Sequence, residues 1–262
     1  MTPALVVVPS VTKLPPETRG AVLVGGSHGA VYAAYLSALA GARAAIHHDA
    51  GIGRDEAGVS GLDWAERHGM AMAAVATATA RIGDGADMLA RGRISRANPL
   101  AAGAGVAPGM TVAEAVERLK ARPATTRTPD KLDETRFEVE GVVCVDSISL
   151  AGPADRGRIV ASGSHGGLPA GETAAKYAPR LSLFNDAGFG ADRAGSAGLA
   201  VLQAAGLAGV TVQAMSARIG DGRSTLTQGI VSDANALAIA LGARIGGGAL
   251  ELARRLADKS PS

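Results

Sequence analysis

The chain has 262 residues, of which 47% are hydrophobic and 19% charged, and its formal net charge is +2. These values are typical of an ordinary globular protein that forms one large domain or two small ones. Basic residues do not cluster and aromatic residues make up only 3%, so a nucleic-acid interface is not expected. No apolar run approaches the roughly 18 residues that a membrane span requires, so a membrane protein is not expected either.

Cysteine use and the N-terminal residues predict a location. The N-terminus lacks a basic segment followed by a long apolar one, so no signal peptide is expected. The single cysteine, Cys144, cannot form a disulfide within the chain, which favours a reducing compartment. It lies in an apolar run and is predicted to be a core residue, because a free cysteine behaves as a small hydrophobe. We therefore expect a cytoplasmic protein.

The chain is a tandem duplication. The tetrapeptide Gly-Ser-His-Gly occurs at residues 26–29 and again at 163–166, a shift of 137 positions. Two further motifs recur at the same shift: Asp-Ala-Gly-X-Gly-X-Asp at 49–55 and 186–192, and Ala-Arg-Ile-Gly-Asp-Gly at 80–85 and 217–222. A gapless repeat of this length indicates two copies of one structural unit.

In the first copy, apolar runs at residues 4–8, 21–24, 43–48 and 70–76 predict strands. Helices are predicted at 30–40, 56–68 and 111–120, together with a short helix after residue 85 and another that Asn98 opens. Asp55 and Asp192 are expected to be N-caps of the helices at 56–68 and 193–205. In the second copy, Pro169 and Gly171 predict that the helix starts only near residue 172, after a longer loop.

The alternation of strands and helices predicts an α/β fold made of two tandem, pseudo-symmetric three-layer α/β repeats with mostly parallel sheets. The first repeat is placed at residues 1–120 and the second at 139–262. Residues 121–138 have no counterpart and are predicted to form a linker. Because functional loops in such sheets follow the carboxyl ends of strands, the three recurring motifs are expected to converge at that edge.

The Gly-Ser-His-Gly motif supplies the first candidate residues. Ser27 and Ser164 are candidate catalytic residues or simple helix caps, and Gly29 and Gly166 present backbone N–H groups where an anion could bind. His28 and His165 are candidate acid–base residues, or bystanders in a tight turn. A serine and a histidine that are adjacent in sequence diverge, so a nucleophile pair within one motif is not expected.

The other two motifs supply carboxylates and arginines. Asp49 and Asp186 are candidate general bases or orienting groups for histidine, and the alternative is a turn-forming role. Arg81 and Arg218 are candidates for binding a substrate carboxylate, held by Asp84 and Asp221; the alternative is a purely structural ion pair. Asn98 and Asn235 are added as substrate-binding candidates because they open a helix at the same shift.

The copies also differ, because residues 47 and 48 are both histidine whereas their counterparts are Phe184 and Asn185. His28, His48 and Asp49 could form a metal site, but their spacing is not diagnostic, and no cofactor is predicted. The leading hypothesis is a cytoplasmic enzyme, a hydrolase or lyase, that acts on a small carboxylate-bearing metabolite by histidine–aspartate acid–base chemistry. The alternatives are a non-catalytic sensor of nucleotide or phosphate and a structural scaffold. A homo-oligomer is considered as well.

Overall fold

A computed structural model describes residues 5–124 and 127–257 of the chain. Every helix and strand of the first repeat has a counterpart in the second. The strands of the first repeat are β1 (Leu5–Val8), β2 (Val22–His28), β3 (Ala44–His48), β4 (Ala71–Val75) and β5 (Ile94–Ala97). Its helices are α1 (Val31–Leu39), α2 (Gly61–Arg67), α3 (Gly85–Arg91), α4 (Pro99–Gly103) and α5 (Val112–Lys120). The predictions for residues 1–4, 125–126 and 258–262, including the N-terminal stretch, lie outside the described residues.

The second repeat starts with a strand that the first does not have. Its strands are β6 (Arg136–Val139), β7 (Val142–Val145), β8 (Ile159–His165), β9 (Leu181–Asn185), β10 (Ala208–Val212) and β11 (Val231–Ala234). Its helices are α6 (Leu168–Tyr177), α7 (Gly198–Ala204), α8 (Gly222–Gln228), α9 (Ala236–Ala240) and α10 (Ala249–Ala257). Apart from β6, one short 3₁₀ helix and the end of α6, these bounds are those of the first repeat moved by 137 positions.

Each repeat forms one mixed, mostly parallel sheet. The order is β1-β2-β3-β4-β5 in the first sheet and β11-β10-β9-β8-β7-β6 in the second. The strands pair in parallel except at β4–β5, β10–β11 and β6–β7, which are antiparallel. The predicted fold class, two tandem three-layer α/β units with mostly parallel sheets, is confirmed.

The two faces of each sheet carry separate cores. In β2 the side chains alternate, so that Val22 and Val24 belong to one core and Leu23 to the other. The first of these cores includes Met88 of α3 and Leu119 of α5, whereas the second consists of residues on the α1 and α2 side. The strands are buried on both faces, which explains why they appear in the sequence as continuous apolar runs.

The described residues group into two compact units. The first comprises residues 5–52, 56–124, 127–133 and 190–192, and the second residues 53–55, 134–189 and 193–257. The unit boundaries therefore fall inside the Asp-Ala-Gly-X-Gly-X-Asp segments, and each unit contains three residues from the other repeat. No helix in the described part of the chain is long and apolar enough to cross a membrane.

Three local predictions were wrong. Residues 136–138, assigned to the linker, lie in β6, which pairs with β7 through a tight turn at Glu140 and Gly141, both with positive φ. Helix α6 starts at Leu168, because a proline in the first helical turn is well tolerated. Asp55 and Asp192 are not N-caps: they have φ values of 53° and 57° and lie in 3₁₀ segments before α2 and α7.

Candidate functional site

One residue in each repeat joins all three recurring motifs. In the second repeat this residue is Asn185, at the end of β9. Its backbone oxygen accepts from the Gly166 N–H at 2.8 Å, its side-chain oxygen from the Ala187 N–H at 2.8 Å, and its Nδ2 donates to Ala217 O at 3.0 Å. The three loops therefore lie side by side at the carboxyl edge of the sheet, where the sequence predicts their convergence.

His48 occupies the same position in the first repeat and makes the same three bonds. Its backbone oxygen accepts from the Gly29 N–H at 2.7 Å, Nδ1 accepts from the Ala50 N–H at 3.1 Å, and Nε2 lies 3.0 Å from Ala80 O. This pattern requires the neutral ring with its proton on Nε2, which presents one acceptor and one donor as an amide does. Burial lowers the pKa of His48, consistent with a neutral ring.

Asp49 and Asp186 follow these junction residues directly and are nearly fully buried. In each, Oδ1 accepts two backbone N–H groups: Gly51 at 3.0 Å and Thr77 at 2.9 Å for Asp49, Gly188 at 2.8 Å and Ala214 at 2.9 Å for Asp186. Burial raises the pKa of the Asp186 carboxyl, while hydrogen bonds from Ser232 and from the backbone oppose the shift. The fixed carboxylate thus links the ends of two strands in each repeat.

The segment after each aspartate is a left-handed loop. Residues 50–53 have φ values of 51°, 69°, 63° and 72°, and residues 187–190 have 50°, 70°, 61° and 70°. Two of the four residues in each loop are not glycine, and Ile52 is β-branched, which makes a positive φ especially unfavourable. Such a conformation costs about 1–2 kcal/mol per residue. Strain that recurs at equivalent positions marks a segment that the fold holds in place, and such segments cluster at functional sites.

The motif serines have backbone partners. Ser27 Oγ accepts from the Val11 N–H at 3.1 Å, and Ser164 Oγ accepts from the Ile148 N–H at 3.0 Å. Each hydroxyl therefore holds the loop that follows the first parallel strand of its repeat. These bonds explain the recurrence of serine by folding, and the catalytic role of Ser27 and Ser164 stays a prediction.

The glycines of this motif provide close backbone packing. A Cβ at Gly26 would lie 2.5 Å from the Asp84 N atom, and Gly163 contacts Asp221 in the same way. At Gly29 a Cβ would lie 2.9 Å from Gly58 O, and at Gly166 one would lie 2.8 Å from Gly195 O. Because the Gly29 and Gly166 N–H groups already donate to the junction residues, they are not available to an anion. This weakens the support for phosphate binding at the motif.

The two motif histidines have different surroundings. His165 Nδ1 accepts from the Gly167 N–H at 3.1 Å, so the neutral ring carries its proton on Nε2. His28 Nδ1 is buried and has no hydrogen-bond partner among the described residues. Burial, together with the neighbouring His47 and His48, lowers the pKa of His28 to about 4. His28 is therefore neutral near pH 7 and a weak base, which leaves His165 as the better acid–base candidate.

Asn98 and Asn235 act as internal clamps. Asn98 Oδ1 accepts from the N–H groups of Met72 and Ala101 at 3.1 and 3.0 Å, and Nδ2 donates to Met70 O at 2.9 Å and to Leu62 O at 3.3 Å. Asn235 makes the equivalent four bonds. All hydrogen-bonding capacity of both amides is used within the fold, so their recurrence follows from stability, and substrate binding by them stays a prediction.

The two motif arginines differ most. Arg81 Nη2 lies 3.1 Å from Asp84 Oδ2 and 2.9 Å from Asp87 Oδ1, and the Arg81 N–H donates to Asp87 Oδ2 at 2.8 Å. Asp192, in the same compact unit, adds a third carboxylate at 3.8 Å. Burial opposes ionisation of Asp87, but bonds and charge from Arg81 and Arg91 hold its pKa below the usual value. Arg81 is therefore part of a closed ion-pair network.

In the second repeat, Ser224 stands where Asp87 would be, and the Arg218 N–H donates to its Oγ at 2.8 Å. Asp221 Oδ1 accepts from the Ser224 N–H as the cap of α8, as Asp84 caps α3. Among the described residues, the carboxylate paired with Arg218 is that of Asp55, 3.3 Å from Nη1 and in the same compact unit. Arg218 is about half exposed and has fewer carboxylate partners than Arg81.

A salt bridge near the aspartates is reversed between the repeats. Arg96 forms a two-point bond with Glu56, with both N–O distances 2.9 Å. At the equivalent positions Arg193 donates to Asp233 at 2.8 Å, so that acid and base are exchanged. The pairing persists while the signs of the charges change. The repeats therefore preserve this interaction and not the residue types that make it.

A metal centre and a surface cleft are two alternatives to a site at the recurring motifs. Among the described residues, no group of three or more His, Cys, Asp or Glu side chains is arranged to hold a metal ion, and both His48 ring nitrogens bond to the backbone. A shallow cleft of about 600 Å³ lies in the first unit, lined by residues of α2, β5 and α4 and by the loop up to Pro108. Of the candidate residues only Asn98 lines it, and Arg96 there is bound to Glu56.

Sequence reasoning did not identify the junction residues as a pair or Ser224 as a determinant of the arginine environment. A signal was present, because alignment of the copies places His48 against Asn185 and Asp87 against Ser224. Cys144, by contrast, is buried as predicted, and burial raises its pKa to about 11.

Comparisons with protein-family models, with curated proteins and with solved structures give no match for this chain.

Proposed function

We propose that the chain is an enzyme, a hydrolase or lyase acting on a small carboxylate-bearing metabolite, and that the second repeat carries the working site. The observation that carries this proposal is the contrast between the arginines. Arg81 is neutralised by Asp84 and Asp87, whereas serine replaces one of these acids near Arg218. A guanidinium with fewer internal partners is suited to two-point binding of a substrate carboxylate.

Acid–base groups accompany this arginine. Asn185 Nδ2 donates to the backbone oxygen of Ala217, the residue before Arg218. Asn185 also accepts backbone N–H groups from the loops that carry His165 and Asp186, so it connects these loops to the Arg218 loop. Burial raises the pKa of the Asp186 carboxyl, which makes it a stronger proton acceptor than an exposed aspartate. The imidazolium form of His165 can transfer a proton to a leaving group, and the neutral ring, with its proton on Nε2, can donate a hydrogen bond to a developing oxyanion. In this scheme Arg218 binds, Asp186 and His165 transfer protons, and Asn185 positions the loops.

The proposal also includes a cytoplasmic location, a small anionic ligand and no nucleic-acid partner. These parts rest on the low net charge, the absence of basic clusters and the single buried cysteine. A homo-oligomeric state is part of the same proposal.

Binding is tested first, by calorimetry of the whole chain with a panel of small mono- and dicarboxylates and with inorganic phosphate and nucleotides. We expect a carboxylate to bind, and Arg218→Ala to weaken binding at least tenfold. Arg81→Ala, the matched variant in the first repeat, should change the Kd less than twofold. Equal effects of the two variants would contradict the assignment to the second repeat, and preference for phosphate or nucleotide would favour the sensor hypothesis.

Turnover is tested next, with amide, ester and hydroxyl derivatives of the carboxylates that bind. Asp186→Asn and His165→Ala should retain binding but reduce kcat by about 100-fold or more, because each removes a proton-transfer group. Asp49→Asn and His28→Ala serve as controls in the first repeat. Retention of full kcat by both second-repeat variants would refute the enzyme hypothesis.

A further inference from the structure

The first repeat contains a group of three histidines that the proposed site does not use. His47 and His48 end β3 and are fully buried, and His28 ends the neighbouring strand β2, where it pairs with His48. In the second repeat the counterparts are Phe184, Asn185 and His165, so that two of the three positions cannot titrate there. The difference lies at the junction of the recurring motifs.

We propose that this histidine cluster is an acid-sensitive switch, and that its protonation releases the left-handed loop at residues 50–53. His48 and His28 each have a geometric reason to be neutral in the folded state. His48 Nδ1 accepts the Ala50 N–H, and a proton on this nitrogen would place two donors against each other. His28 Nδ1 is buried, and in the part of the chain that the structure describes no group is placed to accept a hydrogen bond from it.

His47 completes the cluster. Its Nε2 lies 2.9 Å from Ser37 Oγ on α1, and its Nδ1 lies 3.3 Å from Gly25 O on β2. Burial outweighs these polar contacts and lowers the pKa of His47 to about 4, and burial with the neighbouring rings does the same for His28. The charged groups that act on the cluster are Asp49 at the end of β3 and Asp87 on α3, both of which favour protonation of His48.

The loop at residues 50–53 opens when the Ala50 N–H loses its acceptor on His48. Ala50 and Ile52 are held at positive φ, and the Ala50 N–H bond to His48 is one of the bonds that maintain this conformation. A strained backbone segment persists only while its contacts hold it. Loss of the Ala50 hydrogen bond removes one of these contacts, so the backbone relaxes and the loop opens. Ala187 has the same conformation but is bound to Asn185, which does not titrate.

The sign of the pH dependence follows from the histidine pKa values. Near pH 7 the histidines are neutral in both the closed and the open state, so the closed loop is fully favoured. As the pH falls below 6.5, the histidines of the open state take up protons, whereas in the closed state His28 and His47 bind them only near pH 4 and burial holds the pKa of His48 below its ordinary value, so the closed loop is lost. Each proton taken up on opening changes the equilibrium by about tenfold per pH unit, so three histidines can produce a steep transition.

Amide hydrogen exchange of the whole chain, read by NMR between pH 7 and pH 5, tests the proposal. The protection of the Ala50 amide is divided by that of the Ala187 amide at each pH, which cancels the pH dependence of the exchange chemistry. We expect this ratio to fall by more than tenfold per pH unit below pH 6.5. A ratio that stays within about twofold from pH 7 to pH 5 would overturn the proposal.

Variants that carry the residues of the second repeat provide the matched controls. His48→Asn should retain the loop at pH 7 and reduce the pH slope of the ratio by about tenfold per pH unit, and adding His47→Phe with Ser37→Ala should reduce it again. A His48→Asn chain with the wild-type slope would refute the switch. Failure of His48→Asn to fold would also overturn it, because histidine and asparagine would then not be equivalent at this position.

Discussion

The two repeats share a backbone but reach it with different side chains, and the exchanges occur in compensated sets. In the first repeat His47 and Ser37 form a polar pair, and in the second repeat the apolar pair Phe184 and Ala174 takes their place. The Glu56–Arg96 salt bridge returns with its charges reversed, as Arg193–Asp233. His48 is replaced by Asn185 with the same hydrogen bonds. The comparison shows which contacts the fold requires and which residues have been free to change.

One exchange between the repeats is not compensated by a second carboxylate. Asp87 is replaced by Ser224, and this exchange removes a carboxylate from the arginine of the second repeat without supplying another at the same position. Arg218 is exposed to about the same extent as Arg81, 48% against 44%, but it has fewer carboxylate partners among the described residues. The following predictions test the comparison, from the largest expected effect to the smallest.

Close backbone packing should be the most sensitive shared feature. A Cβ at Gly58 would overlap Asp49 O, and one at Gly195 would overlap Asp186 O. Gly58→Ala should therefore lower the free energy of unfolding by about 3 kcal/mol, since backbone atoms must shift. Urea unfolding followed by the fluorescence of Trp64, the one tryptophan of the chain, reports on the first unit.

Gly103→Ala is the control for this prediction, because a Cβ at Gly103 meets no atom within 4 Å. It should leave stability unchanged or raise it slightly, since alanine has the higher helix propensity. A loss below about 1 kcal/mol for Gly58→Ala would show that the loop can shift easily.

Acid should destabilise the first unit through His47. Its pKa falls from 6.5 to about 4 on folding, so stability is complete above pH 6.5 and is lost as the pH falls toward 4. The double variant Ser37→Ala, His47→Phe introduces the pair of the second repeat. It should match the wild type at pH 7.5 and exceed it by up to about 3 kcal/mol near pH 4.

The measurement is the urea midpoint of Trp64 fluorescence at each pH. Ser37→Ala alone keeps His47, so it should keep the acid sensitivity of the wild type. A double variant that loses stability with falling pH as steeply as the wild type would show that His47 does not titrate between the folded and unfolded states.

The asparagine clamps should contribute equally in the two repeats. Asn98→Ala removes a helix cap and leaves buried backbone groups unpaired, which should cost about 2 kcal/mol. Asn235→Ala removes the equivalent bonds and should cost a similar amount, measured by circular dichroism during urea unfolding. Thr111→Ala, which removes only an exposed cap, should cost about 1 kcal/mol. Unequal losses at the two asparagines would break the symmetry inferred from their contacts.

The reversed salt bridge should give the smallest effect, since exposed pairs contribute little. Glu56→Arg places two arginines together and should lower the thermal midpoint slightly, and Glu56→Arg with Arg96→Asp should restore it by recreating the pair of the second repeat. The thermal midpoints of the two variants and the wild type at low salt measure this coupling. A double variant no better than the single one would mean that the pairs are not equivalent.

The amino-acid sequence by itself determined the duplication, the α/β class and most strands and helices. Strands buried on both faces appear as continuous apolar runs, and glycine and proline mark the turns between them. These signals are local, so they are readable without knowledge of contacts. The start of α6, the β6 hairpin and the false caps at Asp55 and Asp192 were missed because caps and edge strands depend on backbone dihedrals and on pairing partners.

Only the tertiary structure decided what the recurring polar residues do. Ser27 binds Val11, Asn98 binds Met70 and Met72, and His48 binds Ala80. Each of these partners is a backbone group that lies well separated along the chain. A buried polar group needs a hydrogen-bond partner. The sequence shows that the polar residue is present, but it does not show which group is its partner. The recurrence of a residue in both copies therefore could not distinguish a fold requirement from a working group, whereas the hydrogen-bond partners in the folded chain show which of these residues the fold uses.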